Sequence, residues 1–163
     1  MKLPIEELTS EGFAPFGAVI EQPERAQDAE GPGWRWWAET GLLPAAERPY
    51  AIGFLDLKPA PLQFDWAERH LCASELLLPL GGECLVYVSP PDYPEEPGRM
   101  PEPERFRAFK VRPGQGVLLK PGVWHGAPLA YGASLNVAVL LLQGTGDLDT
   151  SLVRFEDHPV FIG

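Results

Sequence analysis

Two histidines and two glutamates stand in the sequence where they could form one polar site. Glu68, His70 and Glu75 follow one another in the order Glu-x-His-x4-Glu, and His125 comes three residues after Pro121-Gly122. Carboxylate oxygens and imidazole nitrogens together suit divalent ions such as Mn, Fe, Ni or Zn. The same groups also act as general acids and bases. The sequence therefore indicates either a metal centre or a polar pocket without a metal.

The positions of these residues along a strand decide whether they can meet. Side chains alternate between the two faces of a strand, so Glu68 and His70 share one face and Glu75 faces the other way. A turn or bulge directly after His70 would restore the parity. We therefore expect a break in the strand after His70, with the side chains of Glu68, His70, Glu75 and His125 pointing into one cavity.

The third histidine and the two cysteines are less informative. His158 stands beside Pro159 near the end of the sequence and is expected to be structural or exposed. Cys72 and Cys84 lack the CxxC spacing. Two buried, reduced thiols are therefore favoured over a disulfide or a metal pair.

Short strands are the elements that would hold these side chains in place. Nineteen prolines and seventeen glycines interrupt the chain of 163 residues, which disfavours long helices. Strand-like runs cover residues 17–20, 51–55, 70–80, 83–89, 106–112, 117–120 and 134–143. The turn dipeptide Gly81-Gly82 joins two of these runs, a short helix is expected over 9–14, and the proline-rich stretch 89–104 reads as an exposed loop. The pattern predicts an all-β antiparallel barrel or sandwich with one or two short helices, as a single domain spanning 1–163.

The charge and hydropathy of the chain exclude several classes of partner. A net charge of −10 argues against a nucleic acid and against an anionic membrane surface. No apolar run is long enough to cross a bilayer, and Met1-Lys2-Leu3-Pro4 does not open a signal peptide. We therefore expect a cytoplasmic protein, and the negative charge does not exclude a small anionic substrate in a locally positive pocket.

The site residues and the turns beside them resemble a known pair of motifs. Glu68, His70, Glu75 and His125, in this order and beside glycine turns, resemble the two motifs of cupins. Those motifs typically carry His-x-His, a downstream Glu and a final His, so Glu68 replaces the first histidine here. The resemblance implies a cupin-type barrel, that is, a double-stranded β-helix or jelly roll.

Longer stretches narrow the resemblance to one family. The sequence is similar to ureidoglycolate lyases at Glu11–Gly17, Glu68-Arg69-His70, Arg107-Ala108-Phe109, Gly114–Val117 and Val123-Trp124-His125. This similarity implies a homodimeric lyase that cleaves ureidoglycolate to glyoxylate and urea in the degradation of allantoin, a branch of purine metabolism.

The resemblance also assigns roles to individual residues. It implies that His70, Glu75 and His125 bind a divalent metal, with Ni, Mn or Zn as the candidates. Glu68 and His125 are the candidate catalytic residues, and Glu68 would otherwise be a fourth ligand. Lys120 is the candidate contact to a substrate carboxylate.

Some positions depart from the family pattern. Leu55-Asp56 stands where relatives offer Asn and Arg, and Gly126 stands where a second histidine is frequent. These departures favour a shifted substrate. A cupin enzyme acting on another small polar substrate and a non-catalytic small-molecule-binding cupin therefore remain alternatives. The cluster Trp34, Trp36 and Trp37 is expected to pack under a loop or at a subunit contact.

Overall fold

The structure, a computed structural model, describes residues 1–96, 99–155 and 159–163. The prediction for His158 therefore falls outside the described residues. Within them the chain is nearly all β, with two four-residue helices, α1 (Ser10–Phe13) and α2 (Thr145–Leu148), and a 3-10 helix at Pro103–Arg105. None of the helices described is long and apolar enough to span a membrane.

The described residues form seventeen strands. They are β1 (Lys2–Leu3), β2 (Ile5–Glu7), β3 (Gly17–Ile20), β4 (Ala29–Gly31), β5 (Trp34–Trp36), β6 (Tyr50–Leu57), β7 (Gln63–Phe64), β8 (Trp66–Arg69), β9 (Glu75–Pro79), β10 (Glu83–Ser89), β11 (Arg107–Val111), β12 (Gly116–Leu119), β13 (Trp124–His125), β14 (Leu129–Tyr131), β15 (Leu135–Leu142), β16 (Ser151–Arg154) and β17 (Val160–Ile162).

These strands make two facing sheets and a smaller third one. One sheet has the order β16-β8-β13-β10-β11-β2, with β14 also paired to β10, and the facing sheet has the order β3-β12-β9-β15-β6. The third sheet is β1-β17-β7, and β4 and β5 form a separate hairpin. Most pairings are antiparallel, but β1 with β17 and β2 with β11 are parallel. The expected all-β architecture, with mostly antiparallel strands and only short helices, is confirmed in the described residues.

Two apolar clusters separate the three sheets. The inner core lies between the seven-stranded and five-stranded sheets and contains Leu8, Phe13, Phe16, Val19, Leu77, Cys84, Val86, Val88, Phe109, Val111, Val117, Leu119, Val123, Ala130, Leu135 and Val137. The outer core lies between the seven-stranded and three-stranded sheets and contains Leu3, Phe64, Ala67, Leu85, Tyr87, Phe106, Ala108, Trp124, Val153, Phe155, Val160 and Ile162. Strand β10 shows the period of two that this requires, because Val86 and Val88 face the inner core whereas Leu85 and Tyr87 face the outer core.

One expectation about local structure is confirmed and another needs correction. Gly81-Gly82, both with positive φ, joins two strands as expected, namely β9 of the five-stranded sheet and β10 of the seven-stranded sheet. The turn carries the chain from one wall of the barrel to the other. Both cysteines are free, as expected, but only Cys84 is buried and Cys72 is exposed.

Candidate active site

Four polar side chains predicted from the sequence come together between the two barrel sheets. Glu68 on β8 and His125 on β13 are registered partners in the seven-stranded sheet. Glu75 opens β9 in the facing sheet, where it pairs with Leu119, a residue of the inner core. Because His125 pairs with Val88 of the inner core, its side chain faces the barrel interior as well.

The break that the parity argument required lies directly after His70. Strand β8 ends at Arg69 and β9 begins at Glu75, so residues 70–74 form no strand. The backbone carbonyl of His70 accepts a hydrogen bond of 2.7 Å from the amide of Gly122, which ties this connection to the turn before β13. The expected interruption is confirmed, and it allows Glu75 to face the histidines.

The distances within the cluster are those of direct contacts. Glu75 Oε2 lies 2.9 Å from His125 Nε2 and 3.3 Å from His70 Nε2. Ligand atoms of Glu68, His70 and His125 all lie within 4.8 Å of one another. His70, Glu75 and His125 are buried, with relative exposures of 5%, 8% and 3%, whereas Glu68 is only partly buried. Glu68 is thus the member of the cluster that solvent reaches.

Backbone carbonyls fix the orientation of both imidazole rings. His70 Nδ1 lies 3.1 Å from the carbonyl oxygen of Asp149, and His125 Nδ1 lies 2.9 Å from that of Val123. A carbonyl oxygen can only accept, so each Nδ1 carries the hydrogen and donates it. In the neutral rings, each Nε2 therefore presents a lone pair to the carboxylate of Glu75, which is also an acceptor.

This arrangement of acceptors requires a positive charge among them. In the cation-free protein, a proton on an imidazole serves this purpose. Burial alone would raise the pKa of Glu75, but the charge and the hydrogen bond of His125, with the weaker effects of His70, lower it to about 2. Burial opposes the charged form of His125, yet the Glu75 carboxylate and the hydrogen bonds of the ring raise the pKa of His125. The site is therefore built to hold positive charge.

A divalent cation fits the same atoms. Adjacent ligand atoms bound at right angles to one ion, with bonds of about 2.1 Å, lie about 3 Å apart. The contacts of Glu75 Oε2 with the two Nε2 atoms, at 2.9 and 3.3 Å, have this spacing. Two neutral imidazoles with carboxylates also form a suitable ligand set for Mn, Ni or Zn. The residues present are thus compatible with a metal centre.

Two basic residues that stand close to the cluster in the sequence, Lys120 and Arg69, have side chains that make contacts outside the cluster. The ammonium of Lys120 donates to the carbonyl of Ala14, just after α1, at 2.7 Å, and the side chain is exposed. Its contact with a substrate carboxylate stays a prediction. Arg69 is fully buried with its guanidinium over the ring of Trp124, which belongs to the outer core. Arg69 therefore occupies the face of β8 opposite the cluster.

The departures from the family pattern have a structural explanation at one position. A Cβ atom at Gly126 would lie 1.8 Å from the hydroxyl oxygen of Tyr87, so the tyrosine occupies the space of a side chain there. Tyr87 belongs to the outer core, so Gly126 faces away from the cluster. Leu55 packs on the inner core, and Asp56 is exposed beside Lys58 at 3.6 Å.

Sequence reasoning missed the residues behind His70. The carboxylate of Asp149 accepts from the amides of Leu71 and Cys72, and the hydroxyl of Thr150 lies 3.2 Å from His70 Nδ1. Both residues lie in a short Gly- and Asp-containing segment, which carries no recognisable motif. No signal in the sequence connects them with a histidine 79 or 80 residues away.

Comparisons with known proteins identify the family of this chain. A family model described as ureidoglycolate lyase matches residues 1–161. The ureidoglycolate lyase of Rhodobacter capsulatus is 37% identical over 151 residues, which cover 89% of each chain. That of Pseudomonas syringae pv. syringae is 31% identical over 172 residues, with 98% of each chain covered. A solved 3,4-ketoisomerase from Helicobacter canadensis superimposes with a TM-score of 0.48 and 14% identity, over 81% of this chain and 86% of that one. Because the family model spans nearly the whole sequence, the chain belongs to the ureidoglycolate lyase family.

Proposed function

We propose that the protein is a lyase that cleaves ureidoglycolate into glyoxylate and urea, as a step in the breakdown of allantoin. Membership of the family supports the reaction, and the cluster described above supplies the groups that it needs. The observation that carries the proposal is the contact of two Nδ1-protonated histidines, His70 and His125, with the buried carboxylate of Glu75. We assign these three residues to the binding of a divalent cation, with Ni, Mn and Zn as candidates.

The substrate determines what the remaining residue has to do. Ureidoglycolate carries a hydroxyl, a carboxylate and a urea nitrogen on one carbon. Cleavage requires removal of the hydroxyl proton, formation of the C=O bond of glyoxylate, and departure of the nitrogen with the electrons of the C–N bond. The nitrogen must then gain a proton to give urea. One proton leaves the oxygen and one reaches the nitrogen, so a single acid–base group can perform both transfers.

Glu68 is the residue that suits this double role. It lies beside His70 and His125 but is more exposed than they are, so its carboxylate can meet the substrate. Both nitrogens of His125 are already engaged, Nδ1 with Val123 and Nε2 with Glu75, which favours an anchoring role for that ring. A divalent cation in the site would act as a Lewis acid toward the carboxylate and hydroxyl oxygens of the substrate. Glu68 would accept the hydroxyl proton and return it to the departing nitrogen.

The test is urea release from ureidoglycolate, measured against the spontaneous decay of the substrate. Protein supplied with Ni, Mn or Zn should accelerate release, and a chelator should abolish the effect. Removing a positioned acid–base group typically costs about 10²- to 10⁴-fold, so we expect a loss of that size in kcat for Glu68→Gln. Glu83→Gln is the matched control, because Glu83 lies in the same sheet but points, like Leu85, to the opposite face.

Two further variants sharpen this test. His125→Ala should lose both cation binding and activity, whereas Lys120→Met should raise KM alone if Lys120 contacts the substrate carboxylate. Equal rates for buffer, the wild type and His125→Ala would contradict the proposal. In that case the protein would act on another small polar substrate. The difference from the family at Leu55, which packs on the inner core where relatives carry a polar residue, would support this alternative.

We also propose that the protein is a homodimer. Large apolar side chains are exposed on β5 and β6, namely Trp34 and Trp36 at 53% and 58%, and Ile52 and Phe54 at 69% and 68%. Strand β6 is the terminal strand of the five-stranded sheet, and a second copy would cover such a surface. Light scattering should give twice the chain mass of 17.9 kDa, and Phe54→Glu should shift the protein toward the monomer. A wild-type mass near 18 kDa would contradict the proposal.

A further inference from the structure

Asp149 contacts the candidate active site through three separate hydrogen bonds. It follows α2 and precedes β16. Its Oδ1 accepts from the amide of Leu71 at 2.9 Å, and its Oδ2 accepts from the amide of Cys72 at 2.8 Å. Its backbone carbonyl accepts from His70 Nδ1 at 3.1 Å. A single residue thus binds the histidine and the two residues that follow it.

These contacts hold the connection that gives Glu75 its orientation. Residues 70–74 join β8 in one sheet to β9 in the other and have no strand partners. The Asp149 carboxylate satisfies two amides of this connection, and hydrogen bonds to an ionised acceptor are roughly twice as strong as neutral ones. If the connection shifted by one residue, Glu75 would face away from the histidines. The side chain of Asp149 therefore anchors the first residues of the connection that leads to Glu75.

The backbone of the same residue controls the imidazole ring. Its carbonyl accepts the Nδ1 hydrogen of His70 and so leaves the Nε2 lone pair directed at Glu75. The hydroxyl of Thr150 donates to the carbonyl of Thr145 and can accept from the same Nδ1. Because the carboxylate and the carbonyl belong to one residue, loosening the side chain also loosens the carbonyl beneath the ring.

We infer that Asp149 is a positioning residue of the site, holding the connection after His70 and the tautomer of His70 so that His70 and Glu75 meet at one cation. The inference rests on the proposed function only in taking the cluster to bind a divalent cation. Loss of partners that orient metal ligands typically lowers metal affinity by roughly 10- to 100-fold. We expect Asp149→Ala to lose affinity within this range and Asp149→Asn to lose less, since the amide oxygen can still accept one of the two hydrogen bonds.

The experiment measures two properties in each variant. Affinity for Zn²⁺ and Mn²⁺ is determined by competition with a chromophoric chelator. The ring nitrogens of the histidines are observed by ¹⁵N NMR in the cation-free protein at mildly alkaline pH. The chain has three histidines, so at most three sets of signals are expected. The set that disappears in the variant His70→Gln belongs to His70. The wild-type ring of His70 should show the Nδ1–H form, and Asp149→Ala should show a mixture of tautomers. Asp147→Asn is the matched control, because Asp147 lies two residues away in α2 with an exposed side chain, and it should leave both properties unchanged.

The outcomes separate this inference from the proposed function. The inference would be overturned if Asp149→Ala bound Zn²⁺ within twofold of the wild-type affinity and left the His70 spectrum unchanged. This holds even if the protein is an active lyase. If the wild type binds neither metal, the proposed cation site fails, and the His70 spectrum alone decides the positioning role. An equal loss of affinity in Asp149→Ala and Asp147→Asn would also overturn the inference, because it would indicate a general loosening of α2.

Discussion

The contacts of Arg69 are predicted to stabilise the protein on the outer face of β8, the strand that carries Glu68. Its guanidinium is buried and donates to three backbone carbonyls of the proline-rich loop, those of Asp92, Tyr93 and Glu96, at 2.7, 3.1 and 2.8 Å. It also lies 4.5 Å from the ring centre of Trp124. The variant of interest is Arg69→Met, which keeps an apolar stem of similar length over the tryptophan and removes the donors.

The structure sets the size of the effect. Each hydrogen bond from a charged donor contributes about 1.5 kcal/mol or more, and a desolvated cation–π contact contributes about 1–2 kcal/mol. Two effects oppose this stabilisation. Burial disfavours the charged guanidinium and so lowers the pKa of Arg69. The Nε of Arg69 has no hydrogen-bond partner among the described residues, and leaving such a buried donor unpaired costs about 1–3 kcal/mol. We therefore expect Arg69→Met to lower the free energy of unfolding by about 3 kcal/mol, or the Tm by roughly 6–12 °C for a chain of this size.

Urea denaturation of the cation-free protein measures this difference. Arg105→Met is the matched control, because Arg105 also binds Asp92, through the carboxylate, but its side chain is 41% exposed. Exposed ion pairs contribute about 0–1 kcal/mol, so the control should change little. A change below about 0.5 kcal/mol in Arg69→Met would refute the reasoning, since it would mean that the three carbonyls regain their hydrogen bonds from water at no net cost.

Two other perturbations test the packing and the pH dependence. Gly126→Ala should destabilise the protein by about 1–3 kcal/mol because the new methyl group collides with Tyr87, whereas Gly146→Ala, with open space around it, should not; equal Tm values would contradict this. A hydrogen bond from Arg107 lowers the pKa of Glu6 below its ordinary value of 4.5, although burial opposes the shift. The stabilisation is therefore present above pH 4.5 and lost as the pH falls through the lowered pKa. Glu6→Gln should therefore lower the free energy of unfolding by more at pH 6 than at pH 3. Urea denaturation curves at the two pH values measure both differences, and equal differences would contradict this prediction.

Much of the candidate site could be predicted because its members are encoded locally. The alternation of side chains along β8 and the wrong parity of Glu75 together required a break after His70, which the structure contains. The glycine and proline turns marked most strand ends for the same reason, since they act through local backbone geometry. Arg107, part of the motif Arg107-Ala108-Phe109, holds Glu6 and the carbonyl of Gly12, so this motif encodes the attachment of the N-terminal segment to the barrel.

The features that were missed depend on contacts between distant segments. Alternation along β8 puts the side chain of Arg69 on the face opposite Glu68, but it does not show that the proline-rich loop covers that face. The turn at Gly81-Gly82 was predicted, but only the pairing of β9 and β10 with other strands shows that the turn connects two different sheets. Asp149 acts through partners more than 75 residues earlier, so no local pattern reveals it.

The contact between His125 and Glu75 has a consequence for folding kinetics. It joins side chains 50 residues apart that belong to opposite sheets, so it can form only after both sheets have docked. Contacts that are absent from the transition state for folding act mainly on the unfolding rate. The barrel would then assemble at the pace set by its long-range strand pairings, and this contact would mainly lengthen the lifetime of the native state.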